Sequence, residues 1–516
     1  MTRAFVWSCV LIGTGVRALP LFDPSGRGLR QFASEDGYLM LTIARNLATG
    51  NGMSVEDGLT LTNGTQPLMT FIYGAGFWLC GGDKVSGVVL AQVLGIGIAL
   101  TCAYLLYRVG QLLLADDPAA EPLCAWAAGA WYVAPLSARY SQNCLETGAA
   151  TLLPLIVGLY FLSRSPARDE RWTIRGCATL GALLGAAFWV RNDAVLLSAA
   201  TCLVLVVAGA RSGSVGLSRS VLEAGVVGAT ALVVVSPWLA FNQFVFGHLV
   251  PISGISQGEK AELGQNLELV PSILAEQVSI IGLIPQRLET SPGVLLGSTL
   301  LVIAWVIAVY ALMRKAEGTQ RRWLTIVALW STAMVAFYGI VYGAGYFMGR
   351  YLFPLSPWMA LFTVVLANRA WKSFGSRAPR IVGLGATACV LAISLGLHAR
   401  AHARGTNNGH FQVVDWVGDN VGDDVWVAAI QTGTLGFFHD KTFNLDGKVS
   451  PASLRARQAG RILEYVVDGP TQYLVDWVGI AAWMEDEVLS EHFELLLLDE
   501  DQNLAVLGRR GVVLEH

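Results

Sequence analysis

The chain has 516 residues, of which 54% are hydrophobic and only 14% are charged, and its mean hydropathy is +0.52. A soluble domain usually carries about a quarter charged residues, so this composition excludes an ordinary soluble protein and indicates a polytopic membrane protein. A net charge of −3 gives no reason to expect a nucleic-acid partner. The eight cysteines form no CxxC motif or Cys/His cluster, which argues against a disulfide framework or a zinc site.

Eleven apolar segments have the length expected of membrane-spanning helices, each of which needs about 20 apolar residues. They cover residues 4–22, 85–107, 120–138, 146–163, 176–190, 194–210, 220–240, 295–313, 324–344, 351–368 and 381–399. A shorter apolar segment at 66–82 is expected to lie along the membrane surface as an interfacial helix. Counting it as a further span would place the basic loops outside.

The positive-inside rule orients these segments. With the N-terminus in the cytoplasm, the loops rich in Arg and Lys, such as 164–175 and 314–322, also face the cytoplasm. This orientation predicts an uncleaved first helix, a first external loop at 23–84 and a long external loop at 241–294.

The composition changes near residue 400, where apolar and polar residues begin to alternate. Residues 450–469 predict an amphipathic helix with Ser450 as N-cap ahead of Pro451. Strands are predicted within 471–477, 493–500 and 503–509. We therefore expect a transmembrane domain at 1–399 and a soluble α/β domain at 400–516 on the external side.

Charged residues collect in the loops that this topology places outside. Charge at the membrane edge is costly unless it is paired or lines a water-filled cavity. Any one of these residues could simply snorkel to the interface or pair locally, but charge from five separate turns predicts a shared cavity. The residues are Glu35, Asp36, Arg139, Glu146, Arg191, Asp193, His248, Lys260 and Arg350, and Tyr351 follows the last of them.

Such a mixture of carboxylates and cations suits the transfer of a sugar from a lipid phosphate. Guanidinium groups bind phosphate oxygens and stabilise charge on a departing phosphate. A carboxylate within reach of a hydroxyl acts as general base. A transporter more often carries its ionisable groups at the membrane midplane, on broken helices of repeated halves, and the sequence shows no such repeat.

Several blocks resemble the GT-C superfamily of integral-membrane glycosyltransferases, and most of all its bacterial polyprenyl-phosphate-dependent enzymes of the arabinofuranosyltransferase type. The blocks that carry the resemblance are Glu35-Asp36, "IARNLATGNG", "TNGTQPLM", "NCLET", "RNDA", "FGHLVPIS", "GRYLFPLSP" and "FNLDGKVSP". Glu35 stands where the group has Asp, "RNDA" lacks the group's Pro and Gly, and "FGHLVPIS" is degenerate. The resemblance implies that the about 11 spans predicted above form a membrane domain of GT-C type in a bacterial inner membrane, with the chemistry on the periplasmic or extracytoplasmic face.

By position in these blocks, the resemblance implies that Asp36 is the general base and Glu35 a helper or metal contact. The alternative for the pair is a helix start, with Ser34 as cap and acids in the first turn. Arg191 and Arg350 are the first choices for the donor phosphate. Lys260, His248 and Arg139 come after them, and His248 could equally be an interfacial histidine.

Supporting roles are expected for four residues. Glu146 and Asp193 would orient the cations, Tyr351 accompanies Arg350, and Arg17 at the end of the first apolar segment would pair with Glu35 or Asp36. Asp446 and Gly447 would form a loop that reaches the acceptor, although an ordinary Asp-Gly turn explains them as well.

The predicted reaction moves a single sugar, with arabinofuranose as the candidate, from a polyprenyl-phosphate donor to a cell-envelope glycan, lipid or protein acceptor. Glu35 and Asp36 could hold Mg²⁺, Mn²⁺ or Ca²⁺ with waters, but a metal-free site is equally open. Two other classes of protein remain alternatives: a transporter or flippase of lipid-linked solutes with an external partner-binding domain, and an assembly scaffold in which the external charges are dispensable.

Overall fold

The structure is a computed structural model of the chain. It describes residues 2–511, with gaps at 165–171, 213–215, 260, 281–288, 344, 374–378 and 406–408, and without side chains at 208–212, 373 and 379–388.

Helices dominate the chain up to Arg404. They are α1 (Thr2–Ala18), α2 (Arg27–Arg30), α3 (Glu35–Ala48), α4 (Pro67–Leu79), α5 (Lys84–Leu113), α6 (Ala120–Val133), α7 (Pro135–Ser141), α8 (Thr147–Arg164), α9 (Ile174–Val190), α10 (Val195–Ser212), α11 (Leu217–Phe241), α12 (Ile252–Gly258), α13 (Val270–Ser279), α14 (Pro292–Met313), α15 (Gly318–Ala336), α16 (Met348–Leu352), α17 (Ser356–Ser373) and α18 (Pro379–Arg404). A two-stranded hairpin of β1 (Ser54–Val55) and β2 (Thr60–Leu61) lies between α3 and α4.

Seven helical stretches in the described part of the chain are long and apolar enough to cross a membrane. They are Thr2–Phe22, Lys84–Leu113, Thr147–Arg164, Leu217–Phe246, Pro292–Met313, Gly318–Val341 and Gly345–Lys372. Three further apolar helical stretches are shorter: Pro67–Leu79, Ile174–Val190 and Asn192–Val207. The number of about 11 membrane-spanning helices therefore stays a prediction, as does the interfacial position of α4.

The predicted helix at 120–138 is wrong as a single element. Helix α6 ends at Val133, and α7 begins at Pro135 after an extended Ala134 with φ −59° and ψ 136°. The residue before a proline is disfavoured in helical conformation, and the proline ring removes a helix hydrogen bond. After the break the chain changes direction and continues as the short helix α7, which leads to the "NCLET" block.

The C-terminal segment forms a five-stranded mixed sheet in the order β4 (Thr442–Asn444), β3 (Val427–Ala429), β5 (Tyr473–Asp476), β7 (Leu504–Arg509), β6 (Phe493–Asp499). Strand β3 runs parallel to β4 and β5, and β7 runs antiparallel to β5 and β6. Strands β5, β6 and β7 fall in the three segments predicted from alternation. The helices of this segment are α19 (Phe411–Asn420), α20 (Gly433–Phe438), α21 (Pro451–Gln458), α22 (Ile462–Asp468) and α23 (Glu487–Ser490).

Capping side chains start the helices nearest the cavity described below. The Ser34 hydroxyl accepts a hydrogen bond from the Gly37 N–H at 3.1 Å, which begins α3. Ser450 accepts from the Ser453 N–H at 3.5 Å ahead of Pro451, so the predicted cap is confirmed. The single helix predicted at 450–469 is wrong, because the chain breaks at Gly460, with a left-handed φ of +67°, into α21 and α22. Each such cap satisfies a backbone donor that the first helical turn leaves free.

Helix α20 docks directly on α3. The ring of Phe437 packs against Tyr38, with 5.1 Å between the ring centroids. Gly433, the first residue of α20, lies so close to α3 that a Cβ atom there would collide with the backbone oxygen of Glu35. The sheet-bearing segment is therefore seated on the start of α3 by a contact that only glycine permits.

We expect Gly433→Ala to lower the stability of the protein by about 1–3 kcal/mol, because the added methyl group forces α20 away from α3. The measurement is the apparent melting temperature of the purified protein in detergent. Gly418→Ala is the matched control, since Gly418 lies inside α19 with open space around it. There alanine should stabilise the helix slightly. Equal melting temperatures for Gly433→Ala and wild type would contradict the proposed close contact.

Candidate active site

A cavity of about 310 Å³ lies where α3, the start of α8, the 191–196 turn, the 250–257 segment and the 337–351 segment meet. Its wall combines hydrophobic side chains with charged and aromatic ones. The charged lining residues are Asp36, Glu146, Arg191, Asp193, Arg350 and Lys448, and the aromatic ones are Phe337, Tyr338, Tyr342, Phe347 and Tyr351. The structure thus brings six of the residues predicted from sequence, Asp36, Glu146, Arg191, Asp193, Arg350 and Tyr351, to one cavity.

Asp36 is held between two cations. Its Oδ2 atom accepts a hydrogen bond of 2.8 Å from Nη1 of Arg350, and its Oδ1 atom lies 3.8 Å from Nζ of Lys448. Burial alone would raise the pKa of the Asp36 carboxyl, but the charges of Lys448 and Arg350 outweigh burial and lower that pKa below its usual value. Asp36 is therefore ionised at neutral pH.

Glu35 faces away from the cavity, although it is the next residue along α3. Its carboxylate accepts hydrogen bonds from the backbone N–H of Gly433, from the N–H of Thr434 at 2.9 Å and from the Thr434 hydroxyl. Glu35 thus binds the N-terminus of α20, where a negative charge is favoured. Glu35 therefore does not line the cavity beside Asp36, and its predicted role as a helper of Asp36 stays a prediction.

The pair does not fit a metal site either. The Glu35 carboxylate is occupied by α20 and the Asp36 carboxylate by two cations, whereas divalent cations require several convergent oxygen ligands. Within the residues that the structure describes, no group of three or more His, Cys, Asp or Glu side chains is placed to hold a metal ion. The contacts of Glu35 and Asp36 therefore do not support the alternative in which the two residues share a metal ion, and metal dependence stays open.

Arg350 is positioned by aromatic rings as well as by Asp36. Its guanidinium carbon lies 4.2 Å from the ring centroid of Phe347 and 5.2 Å from that of Tyr351, and such cation–π contacts are strongest where water is excluded. The Nε atom of Arg350 is buried and has no hydrogen-bond partner among the described residues. Arg350 lines the cavity, and Asp36 and two aromatic rings hold its guanidinium in place there.

Arg191 forms the centre of a second charged cluster. It pairs with Asp193, donates a hydrogen bond of 3.0 Å to the Tyr338 hydroxyl, and lies 3.9 Å from the Glu146 carboxylate. Tyr338 in turn donates to Asp193 at 2.6 Å and stacks on Tyr351 with 4.5 Å between the centroids. Glu146 and Asp193 were predicted to orient the cations of the site, and both contact the guanidinium of Arg191.

Sequence reasoning missed Lys448, which is the one residue of the cavity wall from the described chain after Tyr351. It lies directly after the predicted Asp446-Gly447 turn, and its Nζ atom is 3.0 Å from Oδ2 of Asp446. Gly447 has a left-handed φ of +77°, which a turn of this kind requires. The predicted loop reaches the cavity, but through Lys448 and not through Asp446 or Gly447.

Three predicted phosphate ligands are not part of the cavity that the structure describes. Arg139 on α7 and His248 in the loop after α11 are exposed and do not line it. Lys260 lies outside the described residues.

Arg17 has partners other than those predicted. It is fully buried, its Nη2 donates a hydrogen bond of 3.1 Å to the Ser137 hydroxyl, and its guanidinium carbon lies 4.4 Å from the ring centroid of Tyr132. The prediction that Arg17 pairs with Glu35 or Asp36 is therefore wrong. The broken helix α6–α7 supplies the neutral partners that satisfy this cation.

The chain has the fold of the GT-C membrane glycosyltransferases. The crystal structure of ArnT from Cupriavidus metallidurans bound to undecaprenyl phosphate is similar over 98% of this chain and 98% of that chain, with a TM-score of 0.63 and 12% sequence identity. The oligosaccharyltransferase AglB from Archaeoglobus fulgidus, in complex with an inhibitory peptide and a dolichol-phosphate, is similar over 99% of this chain and 74% of that chain, with a TM-score of 0.54 and 11% identity. No protein-family model and no curated protein matches the sequence.

At such low identities the likeness concerns the fold. The GT-C resemblance seen in the sequence blocks is confirmed at that level, and the seven long apolar helices agree with a membrane protein. The arabinofuranosyltransferase type stays a prediction.

Removing the charge of Arg191 should destabilise the protein strongly. We expect Arg191→Met to cost about 3–5 kcal/mol, because it leaves Glu146 and Asp193 buried without their cation. Arg30→Met is the matched control, since Arg30 pairs with Asp415 at an exposed position and such pairs contribute at most about 1 kcal/mol. Thermal unfolding in detergent measures both variants, and similar losses for the two would contradict the buried cluster.

Proposed function

We propose that this protein is a glycosyltransferase that transfers a single sugar from a polyprenyl-phosphate donor to a hydroxyl group of a cell-envelope glycan, lipid or protein. The observation that carries the proposal is the ionised Asp36 held against Arg350 and Lys448 in a cavity of the GT-C fold. The similar structures of ArnT and AglB contain undecaprenyl phosphate and dolichol-phosphate, respectively, which supports a lipid-linked donor.

The size of the cavity favours a small transferred group. Small-molecule sites have volumes of about 300–1,000 Å³, and the cavity of about 310 Å³ lies at the lower end of this range. One sugar ring with its phosphate suits such a space better than a branched oligosaccharide does. Arabinofuranose is the candidate sugar, on the basis of the sequence blocks alone.

The geometry supports a displacement in which this chain moves one proton and stabilises one leaving group. Asp36 accepts the proton of the acceptor hydroxyl while the hydroxyl oxygen forms a bond to the anomeric carbon of the sugar. The bond between that carbon and the phosphate oxygen breaks, and its electron pair leaves with the polyprenyl phosphate. Arg350, which lines the cavity, stabilises the charge on the departing phosphate.

The proposed membrane is the bacterial inner membrane, with the N-terminus in the cytoplasm and the cavity and C-terminal segment on the periplasmic side. The distribution of Arg and Lys among the loops supports this orientation.

The general-base role predicts that Asp36→Asn lowers kcat about 10²–10⁴-fold. The assay offers the purified protein a panel of polyprenyl-phosphate sugars and follows release of polyprenyl phosphate. Asp36→Asn leaves the buried Arg350 without its carboxylate partner, so the variant should melt at a lower temperature than wild type. Turnover is therefore compared at a temperature at which both proteins are folded. Full turnover by Asp36→Asn would remove Asp36 from the mechanism. Transport of a lipid-linked solute without any turnover would instead favour the transporter class.

Arg350→Ala should impair use of the donor more than use of the acceptor. Loss of one charge-assisted contact to phosphate raises KM for the donor about tenfold or more, whereas KM for the acceptor should change little. The control is Arg455→Ala, which removes an exposed arginine on α21. Equal losses for donor and acceptor would assign Arg350 a structural role.

A further inference from the structure

Lys448 comes to the cavity from the C-terminal segment, almost a hundred positions after the nearest other lining residue in the described chain, Tyr351. Its side chain is only 12% exposed and lies between the carboxylates of Asp446 and Asp36. Burial alone would lower the pKa of Lys448, but Asp446 and Asp36 raise it above the ordinary value of a lysine. The side chain is therefore a fixed positive charge at the edge of the cavity.

Lys448 lies closer to one of its two carboxylate partners than to the other. Nζ is 3.0 Å from Asp446, which is a hydrogen-bonding distance, but 3.8 Å from Asp36, which is not. Asp446 belongs to the same turn and also accepts the backbone N–H of Lys448 at 2.8 Å. The contact with Asp446 thus anchors the lysine, and the looser contact with Asp36 is the one that a stronger acceptor can replace.

The backbone around Lys448 is fixed by close packing. A Cβ atom on Gly64 would collide with the carbonyl oxygen of Lys448, so the first loop and the lysine turn touch backbone to backbone. Asn444 accepts the Gly447 N–H at 3.0 Å, which closes the turn. Loosely tethered lysines sample many positions, whereas this one is preorganised toward the cavity.

Glu35 fixes the same segment at a second point. It binds the start of α20 through the two backbone N–H groups of Gly433 and Thr434 and the Thr434 hydroxyl. Consecutive residues of α3 therefore both reach the C-terminal segment: Glu35 holds α20, and Asp36 faces Lys448. A shift of α20 relative to α3 would move the lysine turn relative to Asp36.

We propose that Lys448 is a phosphate-binding residue of the donor site, where it exchanges its loose contact with Asp36 for a contact with the donor phosphate. Glu35 is the positioning residue that makes this exchange possible. The proposal rests on the glycosyltransferase function proposed above. When the phosphate draws away the positive charge of Lys448, the carboxylate of Asp36 becomes a stronger base for the acceptor hydroxyl. Donor binding thereby prepares the base, and the donor should bind before proton transfer begins.

The first test measures binding of undecaprenyl phosphate to the full chain in nanodiscs. Lys448→Met and Lys448→Gln should weaken binding about tenfold or more, whereas Lys448→Arg, which keeps the charge, should remain within about threefold of wild type. Lys441→Met is the matched control, because Lys441 pairs with Asp424 on the same segment, away from the cavity. Unchanged affinity in either neutral variant, with an unchanged melting temperature, would overturn the inference.

The second test is a double-mutant cycle between Glu35 and Lys448 on the same binding constant. Glu35→Gln should weaken binding several-fold when Lys448 is present and have little further effect in Lys448→Met, because Glu35 acts through the lysine. Asp83→Asn, which removes a cap of α5, is the control. Additive effects of Glu35→Gln and Lys448→Met would overturn the positioning role.

The two proposals fail in different ways. If wild type neither binds undecaprenyl phosphate nor turns over any polyprenyl-phosphate sugar, the glycosyltransferase function fails. If wild type does both and the neutral Lys448 variants match it, the function stands and the role of Lys448 is overturned.

Discussion

The ion pair between Asp36 and Arg350 is the interaction on which the cavity depends. It joins residues 314 positions apart in the sequence, and both side chains are largely buried in an apolar protein. A buried charge without its partner is strongly destabilising, so the start of α3 and the short helix α16 are constrained to meet. The same constraint applies to the Arg191 cluster, which adjoins Arg350 through the ring of Tyr351. Both clusters line a cavity whose other lining side chains are largely hydrophobic.

The helix itself explains why Glu35 and Asp36 have different tasks. Neighbouring residues of an α-helix point about 100° apart, so two adjacent acids at the start of α3 cannot face the same ligand. Glu35 therefore satisfies the N-terminus of α20, and Asp36 faces the cavity. An acidic pair in the sequence suggests a shared metal ion, but the geometry of a helix favours two separate partners.

Much of the cavity could be predicted from sequence because its charges interrupt apolar runs. Arg191 and Arg350 stand in turns between hydrophobic segments, and charge in such places requires a partner. Arg139 and His248 also lie next to apolar segments in the sequence, but their side chains are exposed in the structure. The direction of such a side chain depends on tertiary packing, which the local sequence does not show. Lys448 could not be predicted, because it lies in a polar stretch where a charged residue does not stand out.

Lys448 follows an Asp-Gly pair in a polar stretch, where a lysine ordinarily faces solvent. Its position depends on the contact of its backbone with Gly64, a pairing that no local pattern reveals. Tyr338 was missed because it lies within an apolar run, where a tyrosine is usually part of the core. The break between α6 and α7 was missed although Pro135 marks it, because the apolar composition continues across it.

The order of the cavity residues along the chain also has a consequence for biosynthesis. A ribosome that has synthesised the chain as far as Tyr351 has made all of the lining residues that the structure describes except Lys448. The wall becomes complete only when the C-terminal segment has been translated and has folded against α3. A nascent, membrane-inserted chain therefore has an unfinished cavity, and maturation of the protein ends with the docking of its last segment.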